Sequence, residues 1–177
     1  GGGNGMWIYT SPSMGGATLT AAYRNHVSAA AESMTDFAIA VSPEGIDGLT
    51  VGAAISNNTI GTNLDSDEST FYATYATGGF TFGMQASDLD HTTATSDQES
   101  IAYGITYAVN DDMSIGYSYH ELETETAGDA DQESTGVSVS YTMGGMTLAG
   151  AMNDSDNMGG VAATDRKGYE ATLSFAF

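Results

Sequence analysis

The sequence predicts an all-β fold, an antiparallel up-and-down transmembrane β-barrel. Three observations carry this. Apolar residues recur at every second position in segment after segment, the period of a strand with one greasy face. The connections between segments alternate between tight reversals and longer acidic stretches. The polar half of the alternation is built from Ser, Thr, Gly, Ala and Gln, while the charge falls between segments.

Eleven strands are predicted, over 6–12, 17–24, 35–41, 49–56, 69–76, 80–88, 98–109, 113–122, 132–141, 146–153 and 167–177. The first is MWIYTSP. The second alternates through Leu19, Ala21 and Tyr23, and the third through Phe37, Ile39 and Val41. Leu49, Val51, Ala53 and Ile55 mark the fourth, and STFYATYA the fifth. Phe80, Phe82 and Met84 mark the sixth. The seventh shows Ile101, Tyr103, Ile105, Tyr107 and Val109, and the eighth Met113, Ile115, Tyr117 and Tyr119. The ninth has Val137, Val139 and Tyr141, and the tenth is the second arm of the hairpin GVSVSYTMGGMTLAGAMND. The last, in YEATLSFAF, carries Tyr169, Ala171, Leu173, Phe175 and Phe177 to the final residue. A tilted membrane strand needs about 9–11 residues, which these spans approach. The Ala-rich piece from Val27 to Ala31 is too short to predict a helix.

SPSMGG, SPEGIDG, TGG, VNDD and TMGG are the tight turns, rich in the Gly, Asn and Asp that a close reversal needs. RNHVSAAAESM, NNTIGTNLDSDES, LDHTTATSDQE, ETETAGDADQE and NDSDNMGGVAATD are the long connections. Short turns at one end and long loops at the other describe a meander closed on itself. A soluble barrel with an apolar interior would turn its Gly/Ser/Thr face to water, a surface poor in the charge that soluble proteins use.

The 177 residues hold 3 basic and 23 acidic side chains, a formal charge of −20, which repels nucleic acid and anionic surfaces. The absence of cysteine excludes disulfides and thiolate metal sites. A hydrophobic content of 41% with many aromatics is too apolar for disorder. No apolar run is long enough for a membrane-spanning helix, and GGGNG has neither the basic region nor the apolar core of a signal peptide.

Parity adds an expectation. If the last strand ends in the periplasm, an odd count of eleven puts the first residue on the outer side. Bacterial single-chain barrels have an even number of strands. The chain is therefore expected to be residues 1–177 of the C-terminal portion of a longer barrel, with upstream strands missing.

The closing GYEATLSFAF, with Tyr169, Leu173, Phe175 and a terminal Phe177, resembles the last strand of a Gram-negative general porin. The Gly/Tyr-rich hairpins IAYGITYAVNDDMSIGYSYH and GVSVSYTMGGMTLAGAMND resemble alphaproteobacterial porins of the Rhodobacter type. The resemblance implies a 16-stranded barrel, a homotrimer, and an inward-folded constriction loop. It implies that this chain holds strands six to sixteen, with GGGNG the tail of that loop. It also implies that Tyr169, Leu173, Phe175 and Phe177 form the signal read by the assembly machinery.

Alternation puts Arg24, Gln85, His120, Glu170 and Thr172 on the polar, lumen-facing side. Arg24 is either a pore-wall charge facing the constriction acids, an arrangement that orients solutes in porins of this kind, or a rim arginine paired with a loop carboxylate. His120 reads more readily as a plain polar residue than as a ligand. Arg166 and Lys167 open the last strand at the outer headgroup level. Tyr75, Phe80, Tyr107, Tyr141 and Phe177 are expected in a turn-side aromatic girdle, with Tyr23, Phe71 and Tyr119 in a loop-side one.

DSDE (Asp65, Asp67), GDAD (Asp129, Asp131) and NDSD (Asp154, Asp156) offer hard oxygen ligands suited to Ca²⁺, but none has the spacing of a complete EF-hand loop. They read first as a solvated acidic rim, and second as a rim that loosely gathers divalent cations and bridges them to lipopolysaccharide phosphates. No other cofactor is indicated. The three histidines, His26, His91 and His120, lie apart, and no nucleophile, base and orienting acid come together, so no enzyme is expected.

The expected function is a diffusion porin of the outer membrane, passing small hydrophilic solutes and ions through a water-filled lumen. The acidic excess predicts preference for cations at low salt. The alternative is a non-conducting barrel that anchors or binds through its acidic loops.

Overall fold

The computed structural model describes residues 5–25, 32–60, 65–92, 97–125 and 128–176. Eleven strands form one antiparallel sheet in which spatial order equals chain order. They are β1 (Met6–Thr10), β2 (Ala17–Arg24), β3 (Glu32–Val41), β4 (Leu49–Ile60), β5 (Asp65–Thr77), β6 (Phe80–His91), β7 (Gln98–Ala108), β8 (Met113–Thr124), β9 (Gln132–Met143), β10 (Met146–Asp156) and β11 (Arg166–Phe175). β1 and β11 are its two edges. The predicted strand number holds, and β2 has its predicted ends. The main departure lies at the loop ends, where β3, β4, β5, β6, β8 and β10 run two to four residues further than predicted.

Each ladder runs in unbroken register, so parity assigns every side chain to a face. One face holds most of the large apolar residues and the other the small and polar ones, with Ile8, Met34, Tyr72, Leu89 and Leu122 among the exceptions. The small residues are the more shielded. In β3 and β4, Phe37, Ile39, Ala53 and Ile55 are exposed, whereas Asp36, Ala38, Ala40, Ala54 and Ser56 are half-buried and Gly52 is buried. That is the pattern of a curved sheet with its polar face concave. Among the described residues no apolar side chain is buried, and Val137 and Tyr103 are 56% and 49% exposed. A sheet with no dry core and a greasy convex face cannot be held together by burial from water alone.

The strands are staggered. One line of paired residues, Thr10–Thr20–Ala38–Ala54–Thr70–Ser87–Ser100–Leu122–Gln132, starts beside the first tight turn and finishes at the loop end of β9. Such stagger is what tilts strands in a barrel wall.

The tight turns behave as their residues require. Gly78 and Gly79 take φ of 55° and 85°, the pair of left-handed positions that a two-residue hairpin turn needs. Gly48, at φ 83°, accepts a 2.9 Å bond from the Ala76 N–H, and a Cβ there would lie 2.1 Å from the Ala76 carbonyl oxygen. Among the described connections the one regular piece is a 3₁₀ turn, Met158–Gly160, before β11. The piece from Val27 to Ala31, GGGNG except for its last Gly, His26 and Phe177 lie outside the described residues.

Candidate functional site

The concave wall is the candidate site. Register places Arg24, Gln85, His120, Glu170 and Thr172 all on it. Gln85 and His120 share one cross-strand row, Tyr72–Gln85–Ala102–His120–Ser134, and lie two strands apart along it. Arg24 ends β2, away from that row, and Glu170 and Thr172 sit on the edge strand β11. The five share a face and do not form a cluster.

Hydrogen bonds between short side chains thread this wall. Ser56 Oγ donates to Asp36 Oδ1 (2.5 Å), Asn58 Nδ2 to Glu68 Oε1 (3.1 Å), and Gln85 Nε2 to Ser87 Oγ (3.1 Å). Hydroxyl pairs Thr70–Ser87 (3.0 Å), Ser134–Ser155 (2.9 Å) and Thr142–Thr147 (2.9 Å) continue it. Thr172 Oγ1 donates to Glu170 Oε1 at 3.2 Å. These groups satisfy one another and still offer lone pairs and protons to water. The arrangement suits wetting.

The convex face divides in two. Toward the turns it is aromatic and aliphatic. Phe80 stacks on Tyr107 with centroids 4.4 Å apart, and Tyr103 on Tyr119 at 4.9 Å. Tyr75, Phe80, Tyr107 and Tyr141 hold the expected turn-side positions. Phe71 and Tyr119 do not hold their expected loop-side places. Phe71 lies in mid-strand, paired with Ala86, because β5 starts at Asp65, and Tyr119 lies in mid-strand between Tyr103 and Thr135, because β8 runs on to Thr124.

Toward the loops the same face is acidic. The loop placement of the charge is overturned here: DSDE opens β5 and NDSD closes β10. Asp65, Asp67, Asp88, Asp90, Glu99, Glu121, Glu123, Glu133, Asp154 and Asp156 continue the outward stripe. Five pairs face each other directly: Asp67 with Asp90, Asp88 with Glu99, Glu99 with Glu123, Glu121 with Glu133, and Glu133 with Asp156. Like charges directly opposite destabilise a sheet. Lys167 on β11 offsets part of this row, with Nζ 2.5 Å from Asp154 Oδ2. Asn57 Nδ2 donates to Asp67 Oδ1 (2.5 Å), and Tyr119 donates to Glu121. Asp129 and Asp131 lie between β8 and β9. Asp129 accepts from Thr124 Oγ1 at 3.1 Å, and the Asp131 carbonyl accepts from Asn157 Nδ2 at 3.0 Å. Among the described residues no three acids or histidines are gathered closely enough to hold a metal ion.

Sequence reading missed this row although the signal was there. Asp65-x-Asp67, Asp88-x-Asp90, Glu121-x-Glu123 and Asp154-x-Asp156 are i,i+2 pairs in phase with the apolar stripe below them.

The Gram-negative porin family profile matches residues 1–157. Among solved structures, the chain is similar to the anion-selective porin from Comamonas acidovorans, with a TM-score of 0.80 at 15% identity, covering 97% of this chain and 59% of that one. It is also similar to the outer-membrane OmpT of Vibrio cholerae (TM-score 0.66, 20% identity, 94% and 61% covered). A third similar structure is the NanC porin (0.58, 11%, 97% and 92%). No curated protein sequence matches. The chain spans about three-fifths of the length of the first two porins. With a polar concave wall, a greasy convex face and this match, the chain belongs to the Gram-negative porin family and forms β-barrel wall in the outer membrane.

Proposed function

We propose that this wall lines a water-filled pore through which small hydrophilic solutes and ions diffuse without a chemical step. The single observation that carries this is the phase of the eleven strands: Ser, Thr, Gly and Ala make up most of the inward face, and nearly all the aromatic and most of the aliphatic side chains face out. We propose closure by further strands. β1 and β11 run in the same direction, so joining them directly would need a parallel ladder, and edge groups in hydrocarbon must be paired. The Rhodobacter-type resemblance gives sixteen strands and a homotrimer. The trimer form of the similar Vibrio cholerae OmpT supports that assembly.

Cation preference is part of the proposal. Described inward charges include Asp36, Glu68 and Glu170 against Arg24 and Arg166, on a chain of charge −20. The similar Comamonas porin is anion-selective, but at 15% identity the likeness speaks for the fold. We propose that the outward carboxylate row, at the loop ends of the strands, meets the headgroups, and that loosely held divalent cations bridge it to lipopolysaccharide phosphates.

Planar-bilayer recording tests the reading. A conducting protein whose reversal potential favours cations at low salt, and less so at high salt, supports it. Anion preference overturns the charge argument. The absence of conductance points instead to an anchoring barrel.

A further inference from the structure

Tyr72 is the single Phe, Tyr or Trp on the concave wall among the described strand residues. Trp7, Tyr23, Phe37, Phe71, Tyr103 and Tyr169, for example, all face outward. Its direct cross-strand partner is Gly52. A Cβ at Gly52 would lie 2.3 Å from Tyr72 Cε1, 2.5 Å from Cζ and 2.7 Å from the hydroxyl, so the ring lies over the glycine. Gly52 has no left-handed φ that would call for glycine. Glycine inside a strand weakens it and marks a close approach. Here the approaching group is the ring.

We infer that Gly52 and Tyr72 act as a pair that sets the free width of the solute path. The missing side chain at 52 lets the one large ring of the wall lie flat against it. With a side chain at 52 the ring must leave by another staggered rotamer. Along β5 its face-mates are Thr70 and Thr74, with Thr70 bonded to Ser87 (3.0 Å). On the far side stands Gln85, also bonded to Ser87 (3.1 Å). The open direction is the lumen. This rests on the concave wall being the solute path, as proposed above.

Single-channel recording of the natively expressed protein tests it with Gly52→Val, Tyr72→Ala and the double variant, each checked for folding by heated and unheated gel mobility. Gly52→Val is expected to lower the conductance step. Tyr72→Ala should conduct at least as well as the wild type, and the double variant should return to the Tyr72→Ala level. If Gly52→Val fails to fold, Gly52→Ala makes the same contact with a smaller group and is read in the same way. A glycine variant that conducts like the wild type overturns the inference while leaving the pore reading intact, as does a double variant that stays low. A wild-type protein that carries no current overturns both.

Discussion

Ile105 and Thr106 are chain neighbours on β7 and live in different solvents. Ile105 continues the convex stripe with Tyr103 and Tyr107, while Thr106 faces the concave wall opposite Thr81. The difference teaches that the strands carry two independent specifications. The outward half matches hydrocarbon, and the inward half matches water by being small, hydroxylated and mutually hydrogen-bonded. A soluble domain would read the same alternation with the faces exchanged.

The largest effect is expected from breaking that division. Ile105→Arg should destabilise the folded protein in lipid vesicles by about 2–4 kcal/mol, the usual cost of a cation on the lipid face near mid-bilayer. Thr106→Arg should stay within about 1 kcal/mol, since lumen substitutions tune selectivity instead. Denaturant titration of the two variants measures the gap, and equal losses would dissolve the distinction between the faces.

A second comparison lies within the convex face, between its stacked aromatic half and its carboxylate row. Tyr107→Ala removes the stack on Phe80 and should cost about 0.5–1.5 kcal/mol beyond the lost burial. Glu133→Gln relieves two like-charge pairs at once, with Glu121 and Asp156. It should stabilise the protein by about 0.2–1 kcal/mol when divalent cations are chelated, and by less when Ca²⁺ is restored. Titrations with and without chelator decide whether the row depends on added cations. The smallest effect belongs to Lys167→Met. Its pair with Asp154 is exposed on both sides, so the denaturant midpoint should barely move.

The strand count and the phase of most strands were legible because a period of two survives local variation in residue type. The ends of the strands were not. Asp and Glu are depleted from strands that face water or a core, so DSDE and NDSD read as loop. In this fold β5 and β10 continue past the apolar band, where a carboxylate is tolerated and the backbone still gains its ladder bonds. The misplacement of Phe71 follows from the same error, since its height depends on where β5 begins. The neighbouring Phe71 and Tyr72 already require that one ring face inward. What no sequence pattern could show is that Gly52, twenty residues earlier, sits opposite that ring. The residues expected to line a pore were legible as a face but not as a row, because cross-strand register decides which of them are neighbours.

The agreement between chain order and strand order reaches beyond the wall. Each long connection joins two strands that are already partners, so its length enters no other pairing. Doubling such a stretch costs only about 0.6 kcal/mol of closure entropy. The outer rim can therefore drift, lengthen or accept a foreign peptide while the wall beneath it keeps its register. In a surface protein, that leaves the parts an outside recogniser meets as the parts freest to change.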